Sequence, residues 1–368
     1  MADSTPATHP DLATFRARID EIDRELLTLL NRRAGLAQQV GEIKRLEGSV
    51  AFRPEREAQV IDGLKASNPG PLQNTSVAPI WREIMSACRA LETPTRVAYL
   101  GPPGTFSEEA AIGFFGSSIV RVLCANADEV FHATSAGAAD FGVVPVENSS
   151  EGVVTRSLDL FLTTPLTIVG ETSLYVRHNL LRKTDSLEGI AAVCAHPQAL
   201  AQCHAWLSHH LPNAERRPVA SNAEGARLAG TDPTLAGIAS ERAASEYGLF
   251  VVAPAIQDDA HNRTRFAILA HPSSHPKPAA SGHDCTSLVV SVANRPGAVH
   301  DMLQPLKANG VSMTRFESRP ARSGQWEYYF YVDIDGHPDQ PHVARALAEL
   351  HDACAFFKLL GAYPVDAH

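Results

Sequence analysis

Long apolar runs are missing from this chain of 368 residues. None approaches the ~20 consecutive apolar positions that a membrane-spanning helix needs, so a membrane protein is not expected. Cysteine is scarce: the 6 residues lack short paired spacings, which argues against a disulfide-stapled scaffold and for reduced thiols in a cytoplasm. Positive charge is in deficit. With 32 Lys and Arg against 41 Asp and Glu, the formal net charge is −9, and neither nucleic acid nor an anionic membrane is the expected partner. The opening stretch "MADSTPATHPDLATF" has no basic n-region and no apolar h-region, so no signal peptide is expected. The segment "CAHPQALAQCHAWLSHH" carries Cys194, His196, Cys203, His204, His209 and His210, but at spacings that match no common zinc pattern. No metal or other cofactor is expected.

What is present is enough apolar residue, 44%, to bury real cores, over a length that suggests two or three domains. Three textures follow one another. Residues 11–92 read as all-helical. Apolar positions recur at alternating three- and four-residue steps through Leu12, Phe15, Ile19, Ile22, Leu26 and Leu29, and again through Leu36, Val40 and Ile43. A helix from Leu12 to Leu46 would be ~50 Å long and needs partner helices from this domain or from a second chain. Second and third helices are expected from Pro54 to Leu64 and from Val77 to Glu92. After Thr93-Pro94 short β runs alternate with helical patterns, which predicts an α/β unit with largely parallel sheets, divided into two lobes around a cleft. A Pro/Ser/Ala stretch, His271 to Asp284, reads as a linker. Beyond it the order strand, helix, strand, strand, helix, strand is ferredoxin-like.

The apolar seam of the first helix is interrupted at Arg33. A polar seam residue can fix register or snorkel to solvent; a buried cation awaiting an anion is the other reading. Arg33 and Lys44 are eleven residues apart and so return to nearly the same helix face, whereas Arg16, seventeen before Arg33, falls on another side. "LATFRARIDEIDRELLTLLNRRAGLAQQVGEIK", "FRPERE" and "WREIMSACRALE" together resemble the all-helical chorismate mutase domain along its full length. That resemblance implies an intertwined helical dimer in which each pocket takes one arginine from the neighbouring chain. Arg16 matches the donated arginine, Arg33 and Lys44 the arginine and lysine of the same long helix, and Arg56 and Glu57 the pair that opens the second. Cys88 and Glu92 stand where the best-known bacterial form has serine and glutamine, and Arg53 replaces an acidic loop residue. The substrate is a dicarboxylate enol ether that rearranges in one pericyclic step, with no nucleophile or metal. Catalysis then means gripping two carboxylates with arginine forks and stabilising charge on the ether oxygen. Lys44 is placed to donate there. Glu92 donates only when protonated, so a raised pKa is expected, with mutase activity falling as pH rises through it.

In the α/β segment, "GPPGTFSEEAA" follows a strand and precedes a helix, either as an anion-friendly loop or as a plain capped turn. "VPVENSSEG" places polar residues at a strand's C-terminal end, where α/β ligands usually sit. "NRTRFAIL" opens a late strand with Thr264, Arg265 and Phe266. In this order the three motifs resemble the prephenate dehydratase domain, whose fold is similar to two lobes of a periplasmic binding protein. Thr264 matches the family threonine implicated in protonating the departing ring hydroxyl as CO₂ is lost. Thr105, Asn148, Ser149, Glu151 and Arg265 match polar residues of the cleft, with Arg265 assigned to a substrate carboxylate. Pro103 replaces the commoner acidic residue of the first motif.

"NRPGAVH" and "ESRP" resemble the two effector motifs of the ACT regulatory domain. The resemblance implies that L-phenylalanine binds between two chains through Asn294, Gly297, Ala298, Val299, His300, Glu317, Ser318, Arg319 and Pro320, and shuts down the dehydratase. The expected organisation is a mutase domain at 1–93, a dehydratase domain at 94–272, a linker at 273–284 and an ACT domain at 285–368. The expected fold class is multidomain: all-α, then α/β, then α+β. Chorismate and prephenate are the implied substrates, in a homodimer or larger homo-oligomer. Two alternatives stand beside this reading: a dehydratase that prefers arogenate, and a non-catalytic amino-acid sensor.

Overall fold

The computed structural model describes residues 11–47, 52–275, 277–321 and 328–365. Three helices come first: α1 (Leu12–Glu47), α2 (Pro54–Ser67) and α3 (Asn74–Glu92). The heptad, broken in its apolar seam at Arg33 but free of proline, sustains α1 for 36 residues, and Pro54, whose missing N–H is no loss at a helix start, opens α2. Along α1 only Gly41 is buried. The seam faces solvent within this chain: Leu12 is 62% exposed, Ile22 54%, Leu29 59% and Ile43 54%. Arg33, Ala37 and Lys44 are half-buried in the C-terminal half of α1, the helix that packs against α3.

The middle unit has two lobes. The first holds a six-stranded sheet in the order β2 (Val120–Cys124), β1 (Arg96–Leu100), β3 (Phe141–Asn148), β11 (Arg263–Ala270) and β5 (Thr167–Tyr175), with the short β4 (Gly152–Val153) beside β3. Helices α4 (Phe106–Phe115), α5 (Ala127–Ser135) and α6 (Thr155–Thr163) pack on it. The second lobe holds a five-stranded sheet, β10 (Phe250–Ala253), β6 (Asn179–Arg182), β9 (Leu235–Ala239), β7 (Ala192–Ala195) and β8 (Glu215–Pro218). Its helices are α7 (Pro197–Gln202), α8 (His204–His210), α9 (Asn222–Thr231) and α10 (Glu241–Tyr247).

The sheets are mixed, not largely parallel as the sequence suggests. β1 pairs with β2 and β3 in parallel, but β11 runs antiparallel to both β3 and β5. The reason is topological: the chain leaves the first lobe after β5 and returns after β10, so β11 re-enters between two strands already laid down. Two crossovers, residues 176–178 and 254–262, therefore join the lobes.

The last unit follows the expected order: β12 (Asp284–Ser291), α11 (Ala298–Ala308), β13 (Met313–Pro320), β14 (Tyr328–Asp335), α12 (Pro341–Ala353) and β15 (Phe356–Pro364), in a sheet ordered β13-β14-β12-β15. One face of that sheet packs under α11 and α12 through Leu288, Val290, Met302 and Leu347. The other shares a core with the first lobe, where Val289, Tyr331 and Leu360 meet Val144, Leu158 and Phe161. Gly361 makes this possible, because a Cβ there would stand 2.0 Å from the Ile168 carbonyl on β5. The helical segment is tied in the same way: Phe52, just before α2, is buried among Val97, Phe115, Phe141 and Phe266 of the first lobe. Burial of one such ring contributes about 1.5–3 kcal/mol. The expected linker is also packed, with His275 against the Phe141 ring at 4.3 Å and the Pro278 carbonyl bonded to His337 at 3.1 Å.

Candidate active sites

On the helical segment, the C-terminal turns of α1 and α3 meet where Gly41 leaves room: a Cβ there would be 2.7 Å from the Glu92 side chain. Lys44 and Glu92 line a cavity of about 220 Å³ with Gly41, Phe52, Asp140 and His275. Burial pushes the Glu92 carboxyl above its ordinary pKa, against the opposing pull of Lys44 and then Arg89. Glu57, in the first turn of α2, pairs with Arg89 of α3. Burial raises its pKa too, opposed by Arg89, Arg82 and Arg33. Cys88 is buried on α3.

The expected cations do not all converge within one chain. Arg33 reaches the field of Glu57 and Lys44 that of Glu92, while Arg16 and Arg56 are exposed. Arg16 lies 28 residues before Lys44 along α1, a rise of ~42 Å, so the two cannot share this chain's pocket.

In the two-lobed unit, Asn148 ends β3 and both ends of its amide are used. Its oxygen accepts from the N–H groups of Ser150 (3.1 Å) and Glu151 (3.2 Å), tightening the turn. Its nitrogen donates to Asn262 Oδ1 at 2.8 Å and to Thr264 Oγ1 at 2.9 Å, at the start of β11. A hydroxyl that accepts from an amide keeps its own hydrogen for another acceptor, so Thr264 is set up as a donor. From Asn262 the chain of bonds continues to Gln202 Oε1 on α7 (3.2 Å), and from there to the buried His178 Nε2 (2.9 Å). Gln202 also donates to Glu151 Oε1 at 3.4 Å. These bonds cross between the lobes, and burial lowers the His178 pKa against the support of Gln202.

At the same meeting of the two lobes, Gly104 (φ 87°) comes so close to α10 that a Cβ would be 3.0 Å from the Ala243 Cα. The fully buried Glu108 carboxylate secures this contact with Gly104 N (2.6 Å), Arg121 (3.0 Å) and Arg242 (3.3 Å). Burial raises its pKa, but these partners more than offset it and the net shift is downward.

Three sequence assignments change here. Thr105 caps α4: its hydroxyl donates to the Leu100 carbonyl at 2.7 Å and accepts from Glu108 N at 3.3 Å. Phe266 is 1% exposed and belongs to the core of the first lobe. Arg265 does not face the cleft. Successive side chains of a strand point to opposite faces, so next to Thr264 it projects towards the C-terminal unit. There its Nη2 meets Asp333 Oδ2 at 2.6 Å and Glu171 Oε2 at 2.9 Å, with Glu147 3.5 Å from Nη1. Burial opposes the charge on Arg265, but Asp333, Tyr363 and Glu171 outweigh it and raise its pKa. Ser149 is exposed and extends the ladder, exchanging 2.9 Å bonds with the Arg263 backbone.

In the C-terminal unit, Asn294, Gly297, Val299 and His300 are exposed around the start of α11, with Ala298 buried beneath them. On the edge strand β13, burial alternates. Ser318 and Pro320 are exposed, while Glu317 and Arg319 are half-buried on the opposite face. Arg319 donates to Thr155 Oγ1 (3.0 Å) and Asp159 Oδ1 (3.2 Å) on α6, the helix that follows the Asn148–Glu151 turn.

Residues 15–93 match the chorismate mutase type II family, 97–274 the prephenate dehydratase family and 286–352 the ACT domain family. The bifunctional chorismate mutase/prephenate dehydratase of Neisseria gonorrhoeae is 49% identical over 356 residues, covering 96% of this chain and 97% of that protein. The chain belongs to the bifunctional chorismate mutase/prephenate dehydratase family. The member from Stutzerimonas stutzeri is 44% identical over 96% of this chain and 97% of its own length. A solved prephenate dehydratase from Arthrobacter aurescens, in complex with L-Phe, superposes with a TM-score of 0.68 at 35% identity, covering 74% of this chain and 90% of that one.

Within this bifunctional frame, Gln202, Asn262, His178, Glu108 and Arg89 are polar groups that motif reading passed over. Asn262 stands two residues before Thr264, and its place at the mouth of the strand was a usable signal. Glu108 lies within the first dehydratase motif and Arg89 beside Cys88, whereas Gln202 and His178 are joined to the site only by contacts between distant segments.

Proposed function

We propose that the chain converts chorismate to prephenate in the helical segment and prephenate to phenylpyruvate in the cleft between the lobes, with L-phenylalanine as inhibitor at the ACT unit. What carries the dehydratase reading is the Asn148–Thr264 hydrogen bond at 2.9 Å, which leaves the Thr264 hydroxyl as a donor beside the cleft. As the ring carboxylate leaves as CO₂, its electron pair enters the ring and expels the hydroxyl, which takes a proton from Thr264 and departs as water. In the mutase pocket, Lys44 and a protonated Glu92 donate to the ether oxygen, while Arg33, Arg56 and the neighbouring chain's Arg16 grip the carboxylates. A homodimer supports this division of labour, since the exposed α1 seam is the surface on which a second copy would lie.

The purified protein given chorismate should form prephenate and then phenylpyruvate, and added phenylalanine should suppress only the second. With Thr264→Ala, prephenate should accumulate at the parent rate while phenylpyruvate formation drops by a factor on the order of 10² or more. Joint loss of both activities would point to a fold defect instead.

A further inference from the structure

Arg89 is the more buried of the two arginines of α3, only 6% exposed, and its guanidinium is held on three sides. Nη1 donates to Glu57 on α2. Nη2 donates to the Phe115 carbonyl at the C-terminal end of α4, at 2.5 Å, a helix terminus whose unpaired carbonyls favour a cation. The guanidinium carbon stands 4.6 Å from the centroid of the Phe52 ring. Phe52 in turn is wedged between Phe115 at 5.1 Å and Phe141 at 5.3 Å, both from the dehydratase lobe. A staple between domains needs only the carbonyl and the ring. The ion pair to Glu57 gives this arginine a second use.

The substrate of the mutase is a dicarboxylate with one ring hydroxyl. A carboxylate in its pocket cannot face the substrate's own carboxylates and is suited to accept from the hydroxyl. We propose that Arg89 is a positioning residue for the mutase reaction, anchored on the dehydratase lobe so that it holds Glu57 ready for the substrate hydroxyl. This rests on the assignment of Glu57 and Glu92 to the mutase pocket.

The charges around the two carboxylates make the proposal readable in a pH profile. Glu57 accepts most strongly when ionised, and burial opposes that; Arg89 is the foremost group favouring ionisation, followed by Arg82 of α3 and Arg33 of α1. Glu92, three residues on from Arg89 along α3, must be protonated to donate. Burial favours that form, opposed by Lys44 of α1 first and Arg89 second. Loss of Arg89 therefore raises both carboxyl pKa values, and that of Glu57 more. The acid limb of mutase activity should move to higher pH further than the alkaline limb does.

The test compares full-length Arg89→Met, Arg89→Lys, Glu57→Ala and the parent, with mutase kcat/KM followed against pH and dehydratase turnover measured on supplied prephenate. Arg89→Met should lose roughly tenfold in mutase kcat/KM, with its acid limb displaced upward and dehydratase turnover retained. Arg89→Lys, which keeps the charge but not the fork, should return the limb towards its parent position while recovering only part of the rate. A parent-like pH profile in Arg89→Met overturns the proposal. So does loss of both activities in the Met and Lys variants alike with the limbs unmoved, which marks a fold defect. Glu57→Ala with full mutase activity overturns instead the assignment of Glu57, and leaves Arg89 as an interdomain staple.

Discussion

A neighbouring ammonium ordinarily lowers a carboxyl pKa, yet at Glu92 burial outweighs Lys44 and Arg89 and the net shift is upward. If the neutral form donates to the ether oxygen, mutase kcat/KM should fall by about tenfold per pH unit once pH exceeds its pKa. Glu92→Gln donates without titrating, so that limb should vanish in the variant; profiles of parent and variant that coincide would exclude the role. At this scale the residue types were legible, because a fork, an ammonium and a hydroxyl announce what they bind. Direction was not. Thr105, Arg265 and Phe266 sit in the right motifs, but one caps a helix, one turns to the other face of its strand and one fills a core.

Strand β11 is the element on which this difference matters most. Thr264 bonds Asn148, and the adjacent Arg265 binds Asp333 of the ACT unit, where Ser287 also holds Asp333 at 2.6 Å. Glu147 is shared between Arg265 and Arg315 of β13. The strand that carries Thr264, the proposed proton donor, is thus gripped from behind by the ACT unit. Asp333→Asn removes one anion from a largely buried group of charges, which should lower stability by on the order of 3 kcal/mol. It should also raise the phenylalanine concentration for half-inhibition by roughly fivefold or more, as coupling between sites weakens. Unchanged melting and inhibition would show that Arg265 is satisfied by Glu171 and Glu147 alone. The helices and most long strands were legible from periodicity, since α1 and the βαββαβ order depend on local spacing. Edge and short strands such as β2, β6 and β8 carry too little pattern, and the antiparallel re-entry of β11 depends on a crossover some 80 residues away.

At the scale of the whole molecule, the three units are joined by burial as well as by sequence. Phe52 carries the helical segment into the dehydratase core, and Tyr331 of β14 reaches the Leu158 carbonyl on α6 at 2.6 Å. Lys358 of β15 closes the far end of the same helix, donating to the carbonyls of Phe161 and Thr164 at 2.6 Å each. The packing of His275 on Phe141 was not legible in a stretch that reads as a Pro/Ser/Ala tether, because composition reports stiffness and solvation but not what a segment lies against.

The length of α1 has one more consequence. Arg16 and Lys44 are ~42 Å apart on one rigid rod, so under the proposed exchange of arginines a chain defective at one end still lends a sound other end to its partner. Arg16→Ala and Lys44→Ala should each be nearly dead as mutases alone. Unfolded and refolded together in equal amounts, they should complement one another. Half of the dimers would be mixed, each with one whole pocket, and about a quarter of the parent activity should return. No recovery on mixing would mean that each chain supplies its own pocket, whatever lies along the seam.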